Sequence, residues 1–552
     1  MSRRILPLSL VVASGWWAAL LVAALAVRPI APVDETRYLA VAWEMWVSGS
    51  YVVPHLNGAL YSHKPPLMFW LISGGWGLFG INDWWPRLLL GLFSLGSLGF
   101  TVHIARRLWP QRDAIAAIAV SVTAGALWWA FFTGAVMFDL MLAFFVLVAV
   151  AGVMRAAAGK ALSGWLIAGT GIGLGILTKG PVALLHVLPL ALLAPWWAAA
   201  PPAGGWRGWY PGMLGAVLLG AAIALAWAIP AAVLGGPQFE YELFWHQSAN
   251  RMVSAFHHVR PVWWYLAIAP LILFPWLLWP TLWRGLAGLA RGPRDDGLRF
   301  ALAWLVPVFV AFSLISSKQM HYLFPVFPAF AMIVALGLAR LPGPPGRAGM
   351  VAVALAFAAL SAVLFTQADN PRLAALVRPD EQWMVWVTAA VAALAAAMLA
   401  FVHPRSHVRA TLLLGTATVA LMVGAYFGVL RAIADGYDLR PVSAHLAQAQ
   451  SAGRPIAHHG KYHGQFQFVG RLREPLVVVH EPDKLRVWAG QHPEGLIVVY
   501  SRRSLTHPTA RPEFVQLYRG RRVSVWRGAD FAQVSDEWAQ LDSGPPDTES
   551  DS

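Results

Sequence analysis

Apolar residues gather in runs of about twenty along most of this chain, with short polar breaks between them. A helix of that length crosses the hydrocarbon core of a bilayer, so the pattern predicts an α-helical polytopic membrane protein with about thirteen spans. They fall at about 8–27, 87–105, 114–132, 138–154, 162–178, 181–199, 212–232, 262–282, 300–316, 322–339, 348–366, 383–402 and 410–430, giving a membrane domain over roughly residues 1–430. Beyond Arg431 the apolar runs shorten. Pro475–Val479, Gly495–Tyr500, Phe514–Tyr518 and Arg522–Trp526 read as strands and Pro441–Ala452 as a helix. A soluble α/β domain is therefore expected over about 431–540, with a disordered tail over about 541–552.

The connections between spans are unequal. Two are long, at about 28–86 and 233–261. The first carries two amphipathic stretches, Tyr38 to Trp46 and Leu67 to Phe79, of the kind that lie flat at a membrane surface. Basic residues crowd into alternate connections: Arg3 and Arg4, Arg106 to Arg112, Arg155 and Lys160, Arg207, Arg284 to Arg299, Arg340 and Arg347, Arg405 and Arg409. By the positive-inside rule these are cytoplasmic. The net charge of +14 is then a topology signal and no nucleic-acid partner is expected. With the N-terminus inside and an odd span count, the soluble domain is expected outside, in a bacterial periplasm. The first span reads as an uncleaved anchor, because its apolar run outlasts a signal-peptide core. The absence of cysteine excludes disulfides and thiolate chemistry.

Only 12% of the residues are charged, so the few outer clusters of ionisable groups carry weight. Asp34-Glu35-Thr36-Arg37-Tyr38 follows the first span, then Pro54-His55-Leu56-Asn57-Gly58 and His63-Lys64-Pro65-Pro66-Leu67. Asp139, Lys179, Arg251, Lys318 and Tyr322 fall in other outer connections or span ends. Cations near hydrocarbon are costly, roughly 2.5–3.5 kcal/mol each at a helix centre, so several at one depth imply an anionic partner such as a phosphate. A carboxylate beside them takes a proton from a nucleophile or orients it. Each residue alone also has a plainer reading, the lysines as snorkelling side chains and Asp34 as a helix cap. His63 with His257 or His258 is a candidate site for a divalent metal such as zinc. A transporter or flippase for an anionic lipid-linked substrate is the competing class, although no internal repeat supports it.

The first-loop motifs, with Leu177-Thr178-Lys179-Gly180-Pro181 and Ser317-Lys318 before Tyr322-Leu323-Phe324-Pro325, resemble those of bacterial lipid-to-sugar glycosyltransferases. The nearest likeness is to the lipid A 4-amino-4-deoxy-L-arabinose transferases, with protein O-mannosyltransferases as distant kin. The resemblance implies a GT-C fold and inverting transfer from a polyprenyl-phosphate sugar to lipid A, or to another glycan or protein acceptor, at the periplasmic face of the inner membrane. It further implies catalytic roles for Asp34 and Asp139, and donor-phosphate binding by Arg37, Lys64, Lys179, Arg251, Lys318 and Tyr322. One departure stands out: the aminoarabinose transferases usually carry an acid before the Lys-Pro pair, where this chain has His63.

Overall fold

The computed structural model describes residues 5–202, 204–244, 259–293, 295–367, 370, 381–502 and 510–533. The expected disordered tail lies outside these residues. Among them, ten helices are long and apolar enough to cross a membrane, and they take up ten of the thirteen predicted spans. They include α1 (Ile5–Val27), α4 (Trp84–Leu108), α7 (Phe138–Ala157) and α8 (Ala161–Lys179).

The other three predicted spans are broken helices. The run at 114–132 divides into α5 (Asp113–Ala124) and α6 (Leu127–Phe132) around Gly125. A Cβ at Gly125 would lie 2.6 Å from the backbone of Gly415, so only glycine lets the helix His407–Ala425 pass this closely. The run at 181–199 is cut after α9 (Val182–Leu192), and a short turn, Ala194–Trp197, follows. The run at 262–282 holds Pro270 within Trp264–Ile272 and is cut at Pro275 and Pro280 into that helix, a 3₁₀ turn and Pro280–Arg291. Two of these breaks serve each other: the Leu127 N–H at the start of α6 donates to the Phe274 carbonyl oxygen at 2.9 Å. Such pairing keeps irregular backbone tolerable inside a bundle. The predicted span 212–232 also grows into Gly205–Tyr241, so the connection expected from 233 starts as helix, past a break at Gly236.

The core runs through α5, buried from Ile115 to Ala124, and through α7 and Phe327–Arg340. The first long connection folds as predicted into two helices, α2 (Asp34–Ser48) and α3 (Leu67–Phe79). Between them β1 (His55–Leu56) and β2 (Ala59–Leu60) form a hairpin. The soluble domain holds a five-stranded sheet of β3 (Ile456–His459), β4 (Val477–Val479), β5 (Leu496–Ser501), β6 (Phe514–Tyr518) and β7 (Arg521–Arg527). Its order is β4-β3-β5-β7-β6. The first three strands run parallel and the last two pair antiparallel. Four of the five strands lie where predicted. The missing one, β3, is fully buried but spells Ile-Ala-His-His, and its two histidines hid it from an apolar pattern.

Candidate functional site

Helix α2 begins at Asp34, so neighbouring residues of its first turn point about 100° apart and serve different ends. Asp34 faces an accessible space, with 44% of its side-chain surface open. Its Oδ1 accepts from Arg37 at 2.6 Å and from the Tyr38 hydroxyl at 3.0 Å. The surrounding protein works against its charge, but Arg37, Lys64, His321 and the Tyr38 hydrogen bond outweigh that and hold its carboxyl below the ordinary aspartate value. Lys64 thus acts on Asp34 across the first connection. The Tyr38 ring meets Phe138 edge-on at 4.7 Å, which fastens α2 to the start of α7.

Glu35, one residue along, turns inward and is buried. It pairs with Arg28 at 3.2 Å and Arg87 at 3.8 Å, and accepts backbone N–H groups from Ala31 and Val136 at 2.8 Å each. Arg87 in turn donates to the carbonyl oxygens of Arg28 and Pro29. The bond from Val136 fixes the turn that leads into α7. Sequence reasoning gave Glu35 and Arg87 no role. An arginine at the start of an apolar run was the available signal, since a charge there needs a partner.

Asp139 lies in the first turn of α7 and only 2% of its side chain is exposed. Lys179, the last residue of α8, donates to its Oδ1 at 2.6 Å, and its ammonium also sits 4.8 Å from the centre of the Tyr322 ring. His321 Nε2 lies 3.9 Å from the other oxygen of Asp139. His321 therefore stands near both carboxylates, a placement that the sequence reading did not assign. Lys318 is buried elsewhere: its ammonium donates to the carbonyl oxygens of Arg260 and Ile315. His63 stacks on Tyr61 with ring centres 5.3 Å apart. Arg251, His257 and His258 lie outside the described residues, among which no group of three or more histidines and carboxylates is placed to hold a metal.

A bundle of membrane helices with paired acids and bases at one end, capped by a small sheet domain, is an architecture of the GT-C type. The solved structure of ArnT from Cupriavidus metallidurans bound to undecaprenyl phosphate has this fold, with a TM-score of 0.70 and 22% identity over 95% of this chain and 98% of that one. A family model described as dolichyl-phosphate-mannose-protein mannosyltransferase matches residues 63–233. An undecaprenyl phosphate-α-4-amino-4-deoxy-L-arabinose arabinosyl transferase of Pseudomonas fluorescens is 30% identical over 61% of this chain and 62% of its own length. That of Erwinia tasmaniensis is 30% identical over 56% of each. The aligned part thus spans less than two thirds of these curated relatives. The resemblance seen in the first-loop motifs is borne out by these findings, and the chain is a multi-pass membrane protein with the ArnT fold.

Proposed function

We propose that the protein is an inverting membrane glycosyltransferase that moves a sugar from a polyprenyl-phosphate donor to lipid A or another cell-envelope acceptor. The reaction takes place at the periplasmic face of the bacterial inner membrane, with the N-terminus cytoplasmic and the soluble domain periplasmic. The observation that carries this reading is the accessible Asp34 carboxylate set among Arg37, Lys64 and His321. The likeness to relatives named for undecaprenyl-phosphate aminoarabinose adds to it.

The chemistry follows from charge. An acceptor oxygen bonds to the anomeric carbon as the bond to the donor phosphate breaks, and the electron pair leaves with polyprenyl phosphate. Arg37 and Lys64, already in place, stabilise the charge that develops on that phosphate. With a hydroxyl acceptor the proton passes to Asp34, whose lowered pKa keeps it ionised and ready to accept. With a phosphate acceptor no proton moves, and Asp34 orients the incoming group. The names of the relatives favour an amino pentose as the donor sugar, while His63, in place of the usual acid, keeps a hexose in the test. A divalent ion on His63 with His257 or His258 is a companion proposal; full transfer in excess chelator would remove it.

Mass spectrometry of lipid A and surface glycans, from cells with and without the gene, tests the whole reading. A mass increment of one sugar that vanishes with the gene is the expected result. Unchanged glycans, together with gene-dependent movement of a lipid-linked sugar across vesicles, would favour the flippase class instead.

A further inference from the structure

The turn Pro54–Gly58 is used by no step of the proposed reaction, yet its asparagine is placed with care. Asn57 (φ 56°) and Gly58 (φ 76°) form the two-residue turn of the β1–β2 hairpin. Glycine would serve that backbone as well, so the conformation alone does not explain an asparagine. Its side chain does. Oδ1 accepts the Leu476 N–H at 2.8 Å and Nδ2 donates to the Leu476 carbonyl oxygen at 2.9 Å, the pair of bonds a neighbouring strand residue would make. Gln467 Nε2 adds a third, longer bond to Oδ1 at 3.4 Å.

Leu476 and Gln467 belong to the soluble domain, and the segment 464–476 holds the first connection at α2, the hairpin, α3 and Asp83. The Trp43 indole N–H in α2 donates to the Leu472 carbonyl oxygen at 2.7 Å. Phe468 stacks on Trp76 of α3 with ring centres 5.0 Å apart. Arg471 pairs with Asp83, just before α4, at 2.8 Å. A Cβ at Gly464 would fall 2.6 Å from the Leu56 Cδ1 and 2.8 Å from the Ala40 Cβ, so these two side chains pack directly on the Gly464 backbone. On α2, Trp43 follows Asp34 by nine residues, about two and a half turns, and so points to the opposite side of the helix. One side of α2 thus holds Asp34, Arg37 and Tyr38, and the other is held by the soluble domain. Glu44 closes the unit by accepting the Gly58 N–H at 2.6 Å, tying the hairpin tip back to α2.

We propose that the soluble domain is the positioning element for the Asp34 and Lys64 groups, and that Asn57 is the positioning residue through which it acts. This rests on the catalytic reading of Asp34 and Lys64 given above. Stabilising the leaving phosphate from a loop requires that loop to hold one geometry, and misplacement of about 1 Å at a reacting group costs as much as a hundredfold in rate.

The test uses the full-length protein. Asn57→Gly keeps the turn and removes the side-chain bonds to Leu476, and Trp43→Phe keeps packing but removes the bond to Leu472. Deuterium exchange of residues 34–64 is measured alongside sugar-transfer kinetics. In each variant we expect exchange of α2 to speed up about tenfold and kcat to fall about tenfold, with the donor KM little changed and the thermal midpoint of the bulk protein retained. Asn57→Asp keeps the acceptor for the Leu476 N–H and is expected to recover part of the loss. Wild-type exchange and kcat in both Asn57→Gly and Trp43→Phe overturn the proposal, and so does faster exchange with full kcat. A lower yield of folded protein whose kcat is normal overturns it as well, because that marks a structural role only. If Asp34→Asn kept full turnover while Asn57→Gly still lost it, the assignment of Asp34 would fall and the positioning role would be confined to Lys64.

Discussion

Asp34 and Asp139 each accept a cation at 2.6 Å, and there the likeness ends. Asp34 takes its arginine from its own helix, one turn away, and keeps nearly half its side chain open. Asp139 takes its lysine from a different helix and is sealed, with the Tyr322 ring beside that lysine. A carboxylate paired within one turn leaves the pair free to turn outward as a unit toward a ligand. A carboxylate paired across helices joins them, and its charge is committed before any ligand arrives. The difference sets an open carboxylate apart from one that ties α7 to α8, although the family resemblance implied a catalytic role for both.

The widest break in that comparison is expected from charge removal at the open site. Asp34→Asn should lower sugar transfer on the order of 10²–10⁴-fold with folding intact. A wild-type rate in that variant would count decisively against the open site as the reacting one. Asp139→Asn should act first on stability, since it leaves Lys179 nearly buried without its counter-ion, a loss of roughly 3–5 kcal/mol. Thermal unfolding in detergent reads this, and adding Lys179→Met should recover part of the loss. A D139N protein with an unchanged unfolding midpoint and no turnover would instead promote Asp139 to the reacting group. The smallest effect is on pH. Asp34 is held below its ordinary value mainly by Arg37 and then Lys64 against the cost of burial, so removing a cation raises it. Arg37→Gln should therefore move the acid limb of kcat, at saturating donor, to higher pH. An acid limb that stays put would show that Asp34 does not set it.

Hydropathy made the membrane helices legible because burial in lipid asks only for length and apolarity. It did not show the breaks in 114–132, 181–199 and 262–282, where glycine and proline interrupt the helix without making the run less apolar. Amphipathic spacing gave α2 and α3 correctly, since both are half-covered. The site was legible where its members share one short stretch, as Asp34, Arg37 and Lys64 do. Glu35 was not, because its work depends on Arg28, Arg87 and Val136, whose approach only the folded bundle creates. His321 was passed over for a similar reason: its neighbours Asp139 and Asp34 are distant in sequence.

The grip of segment 464–476 on α2, the hairpin and α3 bears on how such proteins can be recombined. The last membrane-length helix ends at Ala434, but the contact surface does not divide there. Ala40 and Leu56 occupy the room that Gly464 leaves, and Asn57 bonds the backbone of Leu476. A chimera that joins one relative's membrane part to another's cap at that boundary inherits two mismatched halves of one surface. Exchanging residues 34–83 together with the cap keeps the halves matched, so the exchangeable unit is discontinuous along the chain.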